Sequence, residues 1–216
     1  MMVNSGTVYS YGNKWGVKPI QYIKDKNRSP VISRKNLKGI ASTRLLQANA
    51  EKIILSGMAL ELEAMHDLSG KYLAGKSTVI VFRPGLNTHL RYASGFLNSR
   101  LLTFIFRNLF KSLSLKHGYI PINPSQIKQL PIFFEQSFTP LDVSKFPLLT
   151  TVSSKVRQIT HNLEEARGEA KAFLKYLSND WTCDLDDLKL KTYLWSYWRK
   201  EFKDLVKLVK NNKDLI

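Results

Sequence analysis

The chain has 216 residues, of which 44% are hydrophobic and 11% aromatic, so it can bury a sizeable core and is not a disordered protein. It contains no apolar run close to the roughly 18 residues that cross a bilayer, and its start lacks the apolar stretch of a signal peptide. We therefore expect a cytoplasmic protein without membrane contact. The single cysteine, Cys183, permits no internal disulfide and favours no zinc site.

Charge is the strongest signal in the composition. The chain carries 33 Lys and Arg against 17 Asp and Glu, a net charge of +16. Residues 1–150 hold 20 basic and 7 acidic residues (+13), and residues 151–216 hold 13 and 10 (+3). Such an excess attracts a polyanion and binds its phosphates by releasing counterions. We expect a nucleic-acid partner; a merely solubilising surface, or adhesion to a membrane surface, is the alternative.

The first 50 residues contain aromatic rings, turn residues and cations. Four Tyr and Trp rings among several glycines and prolines predict an irregular lead-in with short strands over residues 1–30. The next block, residues 27–50, places cations around Gly39, where they can approach phosphates or base edges closely. A solvated basic loop explains the same pattern. The candidate DNA contacts of this block are Arg34, Lys35, Lys38 and Arg44.

Residues 51–90 have the composition of strands. A short apolar run at residues 53–55, a turn at residues 67–70 and a β-branched run at residues 78–82 predict a mixed α/β domain.

A phosphate-binding pattern occurs within this stretch. Gly70, Gly75, Lys76 and Ser77 match the letters of the Walker A motif. That motif must follow a buried strand and begin a helix whose N-terminus faces the phosphates. Here a turn precedes the pattern and a strand is predicted after it, so we do not expect nucleotide hydrolysis.

Residues 96–109 are predicted to be the axis of the core. Their apolar side chains recur at three- and four-residue spacing almost all around a helix, which predicts one helix buried over most of its circumference. A basic turn follows, and Pro131 ends the unit because it removes a backbone donor. The candidate DNA contacts of this part are Arg107, Lys111 and Lys116.

The sequence offers little for catalysis. Residues 123–126 are similar to the Asn-Pro-Pro-Tyr motif that holds a target adenine in amino-methyltransferases, but they lack the second proline and the aromatic ring that stacks on a flipped base. The chain also lacks a glycine-rich loop for a methyl donor, histidines at metal-ligand spacing and, in residues 1–150, a carboxylate cluster suited to magnesium. We expect no catalytic residue, no metal and no cofactor.

Residues 151–216 change in character. Apolar residues in alternating steps of four and three predict a helix with a heptad seam. Its predicted positions are Val152, Val156, Ile159, Leu163, Ala166, Ala170, Phe173 and Leu177. We expect a break at residues 179–180 and a second helix from about Asp184, rich in Tyr and Trp at residues 193–198 and ending in lysines. The two helices form either a hairpin that docks a partner or a cap on the core of the preceding domain.

An ordered set of short motifs resembles a known family. Three motifs follow one another: Leu97-Asn98-Ser99 within residues 96–102, residues 119–120, and Leu130-Pro131-Ile132 within residues 127–132. Upstream, residues 51–54 and 62–72 also fit, with His66 in an aromatic position before Asp67. Over about residues 34–177 the chain resembles the target-recognition domain of TaqI-like restriction-modification enzymes and adenine-specific DNA methyltransferases.

The residue patterns predict a mixed α/β (α+β) domain in residues 1–150, followed by a helical hairpin or coiled-coil-like spacer in residues 151–216, and the resemblance implies that the first of these is a target-recognition domain. It implies sequence-specific binding of double-stranded DNA in a restriction-modification or adenine methyltransferase system. Catalysis would lie in a methyltransferase or endonuclease domain, in cis or in trans. An RNA-binding protein using the same basic face, or an enzyme with an unrecognised site, are the alternatives. The sequence names no target bases.

Overall fold

The computed structural model describes residues 1–22, 25–37, 39, 41–82, 87–131, 147–181, 187–189 and 202–212. The strands are β1 (Met2–Val3), β2 (Val8–Tyr9), β3 (Gly12–Asn13), β4 (Ile20–Tyr22), β5 (Asp25–Asn27), β6 (Lys52–Ser56), β7 (Met58–Ala59), β8 (Ala64–Asp67), β9 (Leu73–Ala74), β10 (Thr78–Val81) and β11 (Ile120–Pro121). The helices are α1 (Ser42–Asn49), α2 (Asn87–Leu97), α3 (Arg100–Leu109), α4 (Pro124–Lys128), α5 (Pro147–Trp181) and α6 (Phe202–Lys210). The predicted mixed α/β class is confirmed.

The central sheet is antiparallel, in the order β10-β6-β8. Ile54 of β6 pairs with Ile80 on one side and with Met65 on the other. All five residues of β6 are buried, as expected for an apolar middle strand. The strands predicted at residues 53–55 and 78–82 are thus confirmed, and so is the turn at residues 67–70, where Gly70 has φ +61°.

The N-terminal segment belongs to the core rather than preceding it. β1 pairs in parallel with β9, Met2 opposite Leu73. Val3 and Val8 are buried in one cluster with Ile54. The prediction of short strands in this segment is confirmed, and β1 pairs with a strand of the following part of the chain.

The residues with Walker A letters do not precede a helix. Leu73 and Ala74 form β9, Lys76 and Ser77 form a turn, and Thr78 begins β10. A phosphate loop needs a helix N-terminus at this point, so the structure offers the pattern no phosphate-binding geometry.

The single buried helix predicted over residues 96–109 is wrong. The chain forms two helices, α2 and α3, that are separated at Asn98 and Ser99, and Ser99 is the N-cap of α3 because its Oγ accepts from the Leu102 N–H at 3.1 Å. Leu102 and Phe106 are buried in the main core with the central sheet. Phe104, by contrast, is 66% exposed. Only one face of α3 is therefore buried.

Two 3₁₀ turns, Lys111–Leu113 and Lys116–Gly118, lead from α3 to β11, which pairs with β7. Asn123 then caps α4: its side chain accepts from the Gln126 N–H, and the Gln126 side chain accepts from the Asn123 N–H. The motif similar to Asn-Pro-Pro-Tyr is therefore a capping box. Leu130 is buried and closes the main core, while Ile132 lies outside the described residues.

α5 confirms the predicted helix over residues 152–177, although it continues past the expected break to Trp181. Six of the eight predicted seam positions are buried or half-buried. Ile159 and Ala166 are exposed, and the neighbouring Thr160 and Arg167 are turned inward instead. Besides the predicted positions, the buried or half-buried residues between residues 151 and 180 are Ser153, Thr160, Arg167, Lys171, Leu174 and Ser178. The true seam therefore contains polar residues that an apolar pattern cannot register.

α5 packs against the preceding domain. A Cβ on Gly95 of α2 would lie 2.7 Å from Val152 Cγ1 and 3.0 Å from Val156 Cγ2, so the two helices touch only because residue 95 is glycine. Arg167 donates to Asn13 Oδ1 at 2.6 Å and to the Tyr72 hydroxyl at 2.8 Å. These contacts support the reading of this helix as a cap on the core.

The far end of α5 packs with α6. Leu174 and Leu177 share a buried cluster with Val17, Leu188 and Leu208. The expected helix start near Asp184, the aromatic residues 193–198 and Cys183 lie outside the described residues. Among the described helices, none is long and apolar enough to cross a membrane.

Candidate nucleic-acid interface

The outer face of α3 carries exposed cations on the side opposite to the core. Leu102 and Phe106 point inward, so the helical period turns residues 100, 104, 107, 108 and 111 to the opposite side. Arg100, Phe104, Arg107, Asn108 and Lys111 are all exposed or line the surface there. The outer face of α3 and the 3₁₀ turn that follows it therefore present three cations, an amide and an aromatic ring on one side.

These side chains line a cleft of about 510 Å³, the α3 cleft. Its lining residues are Glu61, Asn98, Arg100, Thr103, Phe104, Arg107, Asn108 and Lys111. Arginine and lysine donate hydrogen bonds, glutamate accepts them, and asparagine does both. The cleft can thus form hydrogen bonds with phosphate oxygens and with base edges that carry both donors and acceptors.

A second cleft of about 530 Å³, the N-terminal cleft, shares Glu61 with the first. Its lining residues are Ser5, Gly6, Val8, Tyr9, Lys14, Lys18, Met58, Ala59, Leu60, Glu61, Glu63 and Tyr119. Leu60 lies at the border between the two clefts. A Cβ built on Gly118 would be 3.8 Å from Leu60 Cδ2 and 4.0 Å from Arg107 Nη2, so these two side chains lie close to the same glycine. The two clefts form one surface, which we call the cationic face.

Of the predicted site residues, the structure brings Arg107 and Lys111 together in the α3 cleft. Lys116 is exposed on the turn that follows. Lys35 is exposed on a separate 3₁₀ turn, Arg34–Leu37. Arg44 donates through Nη2 to the Ala74 carbonyl at 2.7 Å and so ties α1 to β9. The side chain of Arg34 and the whole of Lys38 lie outside what the structure describes.

Among the residues of the cationic face that sequence reasoning missed are Lys14, Lys18, Glu61, Arg100, Phe104 and Asn108. The signal for Arg100 and Asn108 was available, since with Arg107 and Lys111 they repeat at helical spacing. The position of Glu61 beside α3 carries no such local signal, because it depends on contacts between distant segments.

The motif residues hold this surface in place. Asn98 Oδ1 accepts from the Ala64 N–H at 2.9 Å, and Asn98 Nδ2 donates to the Ala64 carbonyl at 2.8 Å. The Leu62 N–H donates to Thr103 Oγ1 at 3.2 Å, and the Leu62 side chain is buried. Strand β8 and the loop before it are therefore pinned to the start of α3.

A buried ion pair shapes the turn after β8. Lys52 Nζ lies 2.6 Å from Asp67 Oδ2, and both side chains are fully buried. Lys52 also donates to the carbonyls of Ala48 and Ala50, and Asp67 accepts from the N–H groups of Lys71 and Tyr72. Because both charges also bond to the backbone, the pair fixes the chain on either side of it.

A second buried polar cluster lies beside α5. His66 Nε2 is 2.7 Å from Glu51 Oε1, and Arg91 Nε is 3.6 Å from the same oxygen. Burial, and then the nearby Arg91 charge, lower the pKa of His66 to about 4. Burial raises the pKa of Glu51, against the opposite effect of Arg91. The His66 and Glu51 atoms at this contact form no hydrogen bond. We assign a neutral imidazole to His66, because its low pKa disfavours the charged form and a neutral ring can lie this close to the carboxyl group.

Two further pKa values shift where α5 and the N-terminal segment are buried. Burial, and then the charge of Arg167, lower the pKa of Lys171, whose Nζ lies 4.3 Å from the Trp15 ring centre. Burial raises the pKa of Tyr11. In the described part of the chain, no group of three or more His, Cys, Asp or Glu residues could hold a metal ion.

Comparison with known protein families matches residues 7–132 to the TaqI-like C-terminal specificity domain. The match covers more than half of the chain, so the chain belongs to this family of target-recognition domains in restriction-modification systems, which are non-catalytic by themselves. The match begins earlier and ends earlier than the span of about 34–177 inferred from the motifs. A search of curated proteins finds no match.

Proposed function

We propose that the chain binds double-stranded DNA sequence-specifically, as the specificity domain of a restriction-modification or adenine methyltransferase system. The observation that carries the proposal is the outer face of α3, where Arg100, Arg107 and Lys111 line one cleft on the side opposite to the core. Membership in the specificity-domain family supports it independently.

The dimensions and chemistry of α3 fit a DNA groove. A helix of ten residues is about 15 Å long, and the major groove, about 12 Å wide, admits a helix. Arginine can bond both acceptors of guanine at once, asparagine can bond adenine, and an apolar ring can touch the thymine methyl group. Arg107, Asn108 and Phe104 supply these three chemistries on adjacent turns.

The proposed contacts divide between base reading and phosphate binding. Arginine at the cleft reads bases, whereas lysine meets phosphate as a point charge. We assign base reading to Arg107 and Arg34, and phosphate contacts to Lys35, Lys38, Lys111 and Lys116. Arg44 joins the phosphate contacts through the guanidinium nitrogens other than the Nη2 that bonds Ala74.

The catalytic step belongs to a methyltransferase or endonuclease domain, in cis or in trans. In this proposal residues 1–150 form the recognition domain and residues 151–216 the helical region that docks the catalytic partner. On α5, Tyr176 is 64% exposed, and aromatic side chains are enriched at protein interfaces.

Binding of single-stranded RNA is the second candidate. The observation in its favour is the exposure of Phe104 and Tyr119 on the cationic face, because single-stranded bases stack on aromatic rings.

A salt titration tests the proposal. Fluorescent DNA duplexes are titrated with the full chain, and the affinity should fall with salt with a logarithmic slope of about 0.9 per phosphate contacted. The Arg107→Ala/Lys111→Ala variant should bind about tenfold or more weakly, whereas Lys175→Ala, which removes an exposed charge on α5, should bind normally. Absence of duplex binding at low salt, or preference for single-stranded RNA, contradicts it.

A further inference from the structure

Two carboxylates line the cationic face, Glu61 and Glu63, and only Glu61 of the two is exposed. Five acidic side chains are described within residues 1–131. Glu51 is paired beside His66, Asp67 is buried against Lys52, Glu63 is half-buried, and Asp25 is exposed on a separate hairpin. Glu61 alone among them is exposed and lines both clefts.

The position of Glu61 is fixed by its neighbours. Ala59 pairs with Ile120 in the β7–β11 ladder, and Leu62 is buried and bonded to Thr103 of α3. The short loop between these anchors presents Glu61 beside the arginines of α3. Glu61 forms no ion pair with any residue that the structure describes, so its oxygens are open to a ligand.

A carboxylate weakens binding to phosphate, so its presence in a DNA contact surface calls for another ligand. Carboxylate oxygens accept hydrogen bonds and do not donate them. In the major groove, the donors on base edges are the exocyclic amino groups, N4 of cytosine and N6 of adenine.

We propose that Glu61 determines base specificity by accepting a hydrogen bond from the exocyclic amino group of cytosine or adenine. The inference rests on the proposed DNA binding and deepens it. Glu61 and Arg107 line the same cleft. Arginine contacts guanine acceptors and glutamate the amino donor of cytosine, so the two side chains can read one G·C pair or two neighbouring pairs.

Selection from randomised duplexes tests this with the full chain, Glu61→Ala, Glu61→Gln and the control Glu169→Ala, which removes an exposed carboxylate from α5. The parent should select cytosine or adenine at one position, and Glu61→Ala should lose this preference by about 5- to 100-fold. Glu169→Ala should keep the parental motif. Thermal unfolding of each variant verifies its fold.

The glutamine variant separates the two bases. Glutamine bonds both N6 and N7 of adenine, whereas it offers cytosine a neutral acceptor in place of the charged carboxylate. Glu61→Gln therefore keeps or sharpens a preference for adenine and weakens one for cytosine. If Glu61→Ala retains the parental motif, or strengthens binding to all sequences alike, Glu61 is not a base reader although the chain still binds DNA. If the parent binds no duplex, the proposed function itself fails.

Discussion

The side chain of Asn98 is bonded to both backbone groups of Ala64, with the two heavy-atom distances at 2.9 and 2.8 Å. Ala64 begins β8, which is an edge strand of the central sheet. The amide of Asn98 thus takes the place of a neighbouring strand, and it does so at the break between α2 and α3. The motif Leu97-Asn98-Ser99 joins a buried core residue, a sheet contact and a helix cap in three consecutive positions.

Replacing Asn98 should therefore destabilise the domain. Asn98→Ala leaves the Ala64 N–H without its partner, and we expect a loss of about 2 kcal/mol in the free energy of unfolding, because an unsatisfied buried backbone group costs roughly 1–3 kcal/mol. Denaturant unfolding measures it. Asn108→Ala is the matched control, since its exposed side chain bonds only the Phe104 carbonyl in its own helix. Equal losses in the two variants would contradict this role of Asn98.

The buried pair Lys52–Asp67 predicts a larger effect. Asp67→Ala leaves a buried ammonium group without its counter-charge and two N–H groups without an acceptor, so we expect a loss of about 3–5 kcal/mol. Lys52→Met removes the charge of the side chain but keeps its volume. The double variant Lys52→Met/Asp67→Asn should therefore have a higher free energy of unfolding than Asp67→Ala. A loss below about 1 kcal/mol for Asp67→Ala, measured by urea unfolding, would exclude a structural role for the pair.

His66 predicts a pH dependence of stability. Its pKa is about 4 in the folded chain and about 6.5 when unfolded, so the unfolded state binds more protons between these values. The contribution is present above pH 6.5 and is lost as the pH falls towards 4, on the order of 3 kcal/mol in all. Unfolding measured from pH 7 to pH 4 should show this loss in the parent and not in His66→Gln.

Glu51 acts in the opposite direction. Its raised pKa favours the folded state at low pH, and this stabilisation is lost as the pH rises through the folded value. Glu51→Gln should therefore steepen the loss of stability on acidification. If stability depends on pH in the same way in the parent and in His66→Gln, His66 does not cause the loss of stability between pH 6.5 and pH 4.

The chain alone should neither methylate nor cut DNA. The residues similar to the Asn-Pro-Pro-Tyr motif cap α4, and the specificity-domain family is non-catalytic by itself. Plasmid DNA incubated with labelled S-adenosylmethionine, with and without magnesium, should acquire neither label nor breaks. Methyl incorporation or cleavage that disappears on changing one residue would reveal an active site.

Local patterns predicted the strands but not the way the helices pack. Residues 53–55 and 78–82 were recognisable because β-branched and apolar runs end at turn residues. The break at Asn98 was not, since the apolar period continues across it and the interruption depends on a bond to Ala64 in a distant strand. The seam of α5 was wrong at Ile159 and Ala166, because the inward positions beside them are the polar residues Thr160 and Arg167.

The candidate site was also predicted only in part. Arg107 and Lys111 were predicted from cations at the end of an apolar helix, and the structure places both in one cleft. Phe104 was predicted to be buried because it belongs to the apolar pattern of residues 96–109. Its exposure follows from the split of the helix, and Glu61 reaches the same cleft only through the packing of Leu62 against α3.

The central claim is that α3 reads DNA sequence, and selection from randomised duplexes with Arg107→Ala and Lys111→Ala tests it most directly. Arg107→Ala should relax the preference at one base pair by about 1–3 kcal/mol, whereas Lys111→Ala should keep the parental motif and weaken binding to all sequences alike. The same comparison of Arg34→Ala with Lys38→Ala tests the other basic segment. If both arginine variants retain the parental motif and lose affinity uniformly, these arginines are not the base readers.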